Sequence, residues 1–548
     1  MQKSSEPVPL IARAGNWARW EMLTLLGLLS VYVALAAYKI HFPGIYYDEI
    51  LSLAPAAGVK PYLKCFGLPL LVFPYIGALK SWIYTPIFAL FGVSPVTVRL
   101  PGILISCGTL ALGYSLVRRI LGPRWAVAFT GACAVHPGFV FLTKVDWGPI
   151  ALMLFLKALC LVLLFKWLEG PQRICWPVFG VCILGFFDKF NFIWFVVALA
   201  FSTSAIYGPE IFRKLRSVPL RALVAIAIAL VAVGLLVLFI VYPILQRPHT
   251  RGFSGRFSLM WSLYESMSTG AATAYMWFKS VPTVPSWTGW GVLIVTAIFL
   301  LLTLVNYCLR PSTNKNIDTQ TVKFCLWSLL MFGIIFVEIV VTPQAGGPHH
   351  MIMLFPFDLL AGFSAAFLFA NTFPRMRRQI ISLEGCVLII WVASNLRSFE
   401  MHFSKFRDMS SFRGRWSPHV ESLAAYLNEK AKNADSIYTI DWGIGFQLRA
   451  LCRPRVGRKV KNSWATFLGG SPGRPDGAAE IARVFPPEKK ALYVSFVPEE
   501  SVFSQALQNF ERMRVLAGNT TKPVSNVSPP IAGTYQIFEK PANGVDRQ

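Results

Sequence analysis

The stretch "MLTLLGLLSVYVALAAYKIHFPGIYYDEI", residues 22–50, decides how the rest of the chain is read. From Met22 to Tyr38 no residue is charged. A helix rises about 1.5 Å per residue, so this run with its flanks spans a hydrocarbon core of about 30 Å. Where the run ends, Tyr46 and Tyr47 precede two adjacent carboxylates, Asp48 and Glu49. Paired acids at the mouth of a first membrane span call for an explanation.

Working outward, apolar runs of about 20 residues recur until near residue 397, and the chain is polar from there on. The 548 residues are 55% hydrophobic and only 14% charged, against about 25% charged in soluble proteins. The expected fold is an α-helical polytopic membrane protein with about eleven transmembrane helices over residues 1–397. They are expected at roughly 20–40, 98–118, 124–143, 148–168, 173–187, 190–207, 220–245, 287–309, 323–343, 351–371 and 379–397. A soluble α/β domain follows over 398–548, with strands at "SIYTIDWGI", "ALYVSFV" and "TYQIFEK" and helices at "VESLAAYLNEKAK" and "ESVFSQALQNFERM". The first span is too long for a signal peptide and lacks a clear cleavage site, so it reads as a retained helix.

The net charge of +25 would suggest nucleic acid in a soluble protein. Here the basic residues fall in alternate loops, as topology-setting charges do, which argues against nucleic acid. Arg118, Arg119 and Arg124, then Arg213, Lys214 and Arg216, then Arg375, Arg377 and Arg378 mark one side. The expected placement is multi-pass in a plasma membrane (a bacterial inner membrane), with the N-terminus cytoplasmic and the C-terminal domain extracytoplasmic. Ten scattered cysteines, one of them in the C-terminal domain, give no disulfide framework and no zinc motif.

On the outer side lie 41–97, the turn "TKVDWG" with Asp146, the segment 246–286, and "QAGGPHH" with His349 and His350. The proline-broken half of 41–97, "LPLLVFPYIGALKSWIYTPIFALFGVSP", reads as helices lying along the membrane surface. Asp48 then sits between a spanning helix and a surface segment. There a lipid-borne substrate can arrive from the bilayer and a second one from water. An apolar wall raises a carboxylate's pKa, which suits a general base. The ordinary alternative is a pair of solvated acids capping the next helix. Asp188 beside Lys189 reads as a local ion pair or a turn between two helices.

Five segments in one order resemble the GT-C superfamily of membrane glycosyltransferases that use polyprenyl-phosphate sugars, such as protein O-mannosyltransferases and the aminoarabinose transferases of lipid A. They are "YYDE" (46–49), "LFGVSPVTVRLPGIL" (90–104), "TKVDWGPIALMLFL" (143–156), "LGFFDKFNFIWF" (184–195) and "GPHHMIMLFPFDLL" (347–360). The resemblance implies that Asp48 is the base, that Glu49 completes the acid pair and orients the site, and that Asp146 is the second acid. For the family's phosphate-binding cations it offers Lys60 or Lys64 and Arg251 or Arg256, with His349 and His350 as further donors. For each of these, helix capping or interfacial anchoring is the ordinary reading. Tyr46, Tyr47, Trp82 and Trp147 can stack on sugar or belong to an interfacial aromatic belt.

The implied reaction is an inverting transfer of a sugar from polyprenyl phosphate to a hydroxyl on lipid A, a cell-envelope polysaccharide or a protein. The donor is itself the lipid-linked substrate, so no cofactor is expected. With one adjacent acid pair and no further cluster, no essential metal is expected either. The basic stretch "RPRVGRKVK" reads as a solvated face or as a contact for anionic glycan or lipid headgroups. A secondary transporter would show related halves, and no internal repeat is present. A non-catalytic scaffold remains the third reading.

Overall fold

The computed structural model describes residues 17–59, 61–172, 174–216, 253–309, 318–469, 477–518 and 529–540, with isolated positions at 218–238 and at 524. The chain is mostly helical. Eight helices among the described residues are long and apolar enough to cross a membrane, or nine if one bent pair counts as a span.

The helices α1 (Arg19–Ala37) and α4 (Pro95–Leu121) run side by side in opposite directions. Glu21 opens α1 by accepting from the Ala18 amide, and it closes α4 through Arg118 at 2.8 Å. The Ser94 and Thr97 side chains cap α4, and Pro95 occupies its first turn, where a missing N–H costs nothing. Next come α5 (Pro123–Ala134) and α6 (Pro137–Val145), bent by 57° at the break before Pro137. The helix α7 (Ile150–Glu169) packs along α4.

The expected span at 173–187 is α8 (Trp176–Asp188), whose 13 residues reach only about 20 Å. It is followed by α9 (Phe192–Leu215). The expected span at 220–245 lies outside the described residues. Later helices run Phe253–Thr269, Thr288–Leu309, Thr319–Val341, Phe357–Thr372 and Arg377–Lys405. The last of these continues past residue 397, where the domain boundary was expected. Just before Phe357 the helix is broken into Pro348–Met351 and a 3₁₀ turn, Ile352–Leu354. Buried Lys157 of α7 donates to the Met353 and Phe355 carbonyls that this break leaves without helical partners.

The segment 61–91 corrects the sequence reading, because its first part is not helical. It forms an antiparallel sheet of β1 (Leu63–Cys65), β2 (Leu68–Phe73) and β3 (Ile76–Gly77). Phe66 and Gly67, both at positive φ, make the two-residue turn that pairs Cys65 with Leu68, and Pro69 and Pro74 deny a helix its N–H bonds. Only the second part is a helix, α3 (Leu79–Phe91).

In the C-terminal region β4 (Ser436–Thr439), β5 (Val460–Asn462), β6 (Ala491–Phe496) and β7 (Tyr535–Lys540) form one sheet in the order β5-β4-β6-β7. β4 pairs parallel with β5 and β6, and β7 is antiparallel to β6. Every residue of β6 is buried, as in a strand covered on both faces. β5 arises from the end of "RPRVGRKVK", which the sequence reading took for a charged face. The loop leaving the carboxyl end of β4 carries Trp442 toward the first outer loop.

Candidate active site

The two acids of "YYDE" begin the short helix α2 (Tyr47–Leu51) and do different things. Glu49 is fully buried and its carboxylate takes two bonds from Arg99, at 2.9 Å from Nε and 2.8 Å from Nη2. It also accepts from the Tyr46 amide at 2.7 Å, which caps α2. Arg99 gives its remaining donors to the Ile40, Pro43 and Gly44 carbonyls. This closed set of bonds fixes the loop 40–49 to the start of α4. Both Glu49 oxygens are therefore engaged in holding this loop.

Asp48 faces the other way and is half-buried. Its Oδ2 accepts from the Trp147 indole N–H at 2.7 Å, and its Oδ1 makes no hydrogen bond among the described residues. Burial raises its pKa above the ordinary carboxylate value, and Trp147, Lys189 and Arg415 offset part of that rise.

Asp146 is buried and holds the turn that presents Trp147. Its left-handed backbone (φ 46°) ends α6, its Oδ1 accepts from the Ala151 amide to cap α7, and its Oδ2 pairs with Lys80 at 2.7 Å. Lys80 also donates to Ser52 Oγ at 3.1 Å and the Gly148 carbonyl at 3.1 Å. So Asp146 is tied into this turn by a lysine that the sequence reading did not name.

Of the two readings of Asp188-Lys189, the turn between two helices holds and the ion pair is not formed. The chain between α8 and α9 is extended at Lys189 (φ −155°) and bridges to Ile76 of β3. Adjacent side chains of an extended segment point to opposite sides. The Lys189 ammonium makes no hydrogen bond or ion pair among the described residues, and it lies 3.3 Å from where a Cβ on Gly148 would be. Burial lowers its pKa to about 8, with the Asp48 charge the largest influence opposing that.

The C-terminal region completes the site. The Gly44 amide donates to the Trp416 carbonyl at 2.8 Å, and a Cβ on Gly44 would strike the Ser417 carbonyl at 2.1 Å, so this approach requires glycine. The Trp416 ring stacks on Tyr46 at 3.8 Å. Trp442 packs on Tyr47 at 5.1 Å, and Asn462 donates to the Tyr47 hydroxyl at 3.0 Å. Arg415, half-buried, makes no side-chain hydrogen bond or ion pair among the described residues. His349 lies against Trp147 at 4.3 Å with its buried Nδ1 unbonded, and His350 stacks beside it at 4.0 Å.

Of the other residues expected here, Arg256 gives its guanidinium to the Ile339, Val340, Thr342, Pro343 and Ala345 carbonyls, closing the end of the helix Thr319–Val341. Lys64 is exposed on the β1–β2 hairpin. Lys60 and Arg251 lie outside the described residues. Thus Trp147 links Asp48 to His349, and Lys189 and Arg415, neither in a hydrogen bond or ion pair among the described residues, act on Asp48 through their charge.

Residues 77–239 match the family model described as dolichyl-phosphate-mannose-protein mannosyltransferase. That family is part of the GT-C superfamily of glycosyltransferases. The match covers 163 of the 548 residues (239 − 77 + 1) and contains Lys80, Arg99, Asp146, Trp147 and Lys189. It supports a glycosyltransferase of the GT-C kind on a multi-pass membrane protein. No curated protein matches the chain.

A glycine at 148 has φ +77°. Gly148→Ala adds left-handed strain of about 1–2 kcal/mol and crowds Lys189. A lower thermal melting midpoint in detergent checks this, and Gly148→Asn is expected to lose less, because Asn tolerates that conformation.

Proposed function

We infer that the chain moves a sugar from a polyprenyl-phosphate donor to an acceptor hydroxyl, in one displacement with inversion. The observation that carries this reading is Asp48 Oδ1, without a hydrogen bond among the described residues, within electrostatic reach of Lys189 and Arg415. Oδ1 takes the acceptor's proton as the hydroxyl oxygen bonds to the anomeric carbon. The bond from that carbon to the phosphate oxygen breaks, and its electron pair stays on the phosphate. Lys189 and Arg415, with His349 as a further donor, stabilise that growing charge. Trp147 holds the carboxylate in place, and the Tyr46–Trp416 stack backs the loop that carries it. No metal takes part in the proposed step.

The family's description favours mannose as the sugar and protein as the acceptor, with an envelope glycan or lipid as the other acceptor class. The C-terminal region, residues 398–548, admits the acceptor to Asp48 from outside the membrane. The site then faces the extracytoplasmic side of a bacterial inner membrane.

The test is transfer of radiolabel from polyprenyl-phosphate mannose by the purified chain to endogenous acceptor. Retention of all label on the donor, under conditions where the chain is folded, argues against the reading. Lys189→Ala is expected to raise the KM for the lipid-linked donor about 10- to 100-fold, as loss of a charge-assisted bond of about 1.5–3 kcal/mol does. Lys189→Arg should recover part of it. An unchanged donor KM removes Lys189 from the phosphate site.

A further inference from the structure

Arg124 and Arg377 come together at the end of the bundle farthest from Asp48. α4 begins beside the site with Arg99 and ends two residues before α5, and its 27 residues make about 40 Å of helix. Arg377 starts the helix Arg377–Lys405. Both arginines are exposed, and neither makes a side-chain hydrogen bond or ion pair among the described residues.

The two arginines line one end of a groove of about 530 Å³, walled by Trp125, Val292, Phe363 and Trp391. That size falls within the range of small-molecule sites, ~300–1,000 Å³. Glu384 lies on the same wall, two turns (about 10 Å) inward of Arg377. Both of its carboxyl oxygens are shielded from solvent and have no hydrogen-bond partner among the described residues. So the groove has a cationic mouth, an apolar and aromatic wall, and one unsatisfied carboxyl along its length. A free phosphate would leave the apolar wall empty, and a neutral hydrocarbon would leave the arginines unmatched.

We propose that this groove binds an anionic glycerophospholipid of the leaflet opposite Asp48. Its phosphate lies between Arg124 and Arg377, where two guanidiniums match a phosphodiester. One acyl chain runs along the aromatic wall. The Glu384 carboxyl, without a partner among the described residues, lies alongside the glycerol end of that chain. The site is separate from the donor site, because the phosphate of a donor consumed at Asp48 sits at the other membrane face.

Native mass spectrometry of the full chain in detergent, with added dioleoylphosphatidylglycerol, dioleoylphosphatidylcholine or polyprenyl phosphate, tests this. Wild-type protein is expected to retain phosphatidylglycerol at about tenfold higher occupancy than phosphatidylcholine. Arg124→Ala with Arg377→Ala should bring the two to the same level, and Arg124→Lys with Arg377→Lys should keep part of the preference. Phe363→Trp, which fills the groove and leaves the arginines intact, should lower occupancy on its own. Equal retention of both lipids by wild type overturns the proposal, as does phosphatidylglycerol retention unchanged by both the double alanine variant and Phe363→Trp. Displacement of phosphatidylglycerol by equimolar polyprenyl phosphate, in wild type and not in the alanine variant, would assign the groove to the isoprenoid instead.

Discussion

Asp48→Asn is expected to cut sugar transfer by about 10²- to 10⁴-fold, the usual contribution of a positioned general base. The amide keeps the shape, and its oxygen still accepts from Trp147, so the loss reports the missing proton acceptor. Donor binding should change little, which places the effect in kcat. The pH profile gives an independent check. The base works deprotonated, so activity rises with pH through the Asp48 pKa. Burial has raised that value above the ordinary 3.8, so the acidic limb of kcat/KM lies at higher pH than a solvated aspartate gives. The cation works protonated, so activity falls as Lys189 loses its proton near pH 8. Removing Lys189 should erase the alkaline limb and leave the acidic one. An Asp48→Asn enzyme with more than a tenth of wild-type kcat would refute the assignment of the base.

Glu49→Gln or Arg99→Ala should cost the fold about 3–5 kcal/mol, because each leaves one member of a buried ion pair uncompensated. Both side chains have zero exposure and sit 2.8 Å apart. Arg99→Ala also strips donors from three loop carbonyls, so it should be the worse of the two. The measurement is the thermal melting midpoint in detergent, with transfer activity assayed well below it. The double replacement Glu49→Leu with Arg99→Met should regain part of the stability, since two apolar groups need no partners. It should not regain activity, because α2 would no longer be held against α4 and Asp48 would lose its aim. A shift under about 1 kcal/mol for either single variant, the level of an exposed ion pair, would mean that the loop is held by other contacts.

How far the sequence carried these conclusions depended on distance along the chain. Apolar runs are local signals, so α1, α4, α7 and the later long helices were legible, and so were the acids at their mouths. The partners of those acids were not. Glu49 and Arg99 lie 50 residues apart, and Lys80 lies 66 residues from Asp146. No periodicity links such pairs, although Arg99 stood in a motif already quoted.

Lys189 was weighed as half of a local pair or as part of a turn between helices, because adjacency suggests contact. The extended backbone at that position turns the two side chains apart. In 61–77 the apolar content pointed to the membrane surface, while the Phe66-Gly67 turn and the prolines determine strands. The contacts of Trp416 and Trp442 were not legible, because nothing local marks a C-terminal segment that folds back on a loop hundreds of residues earlier.

That folding back has a consequence for the timing of synthesis. Residues 48 and 416 are 368 positions apart. At the usual ribosomal pace of about 5–20 residues per second, the reactive acid is made roughly 20–70 s before the indole that covers its neighbouring tyrosine. A nascent polypeptide therefore carries Asp48 for that interval with neither the Trp416 ring over Tyr46 nor the backbone bond from Gly44. Products terminated before residue 416 lack both contacts, so their loop 40–49 is held from the side of Arg99 alone.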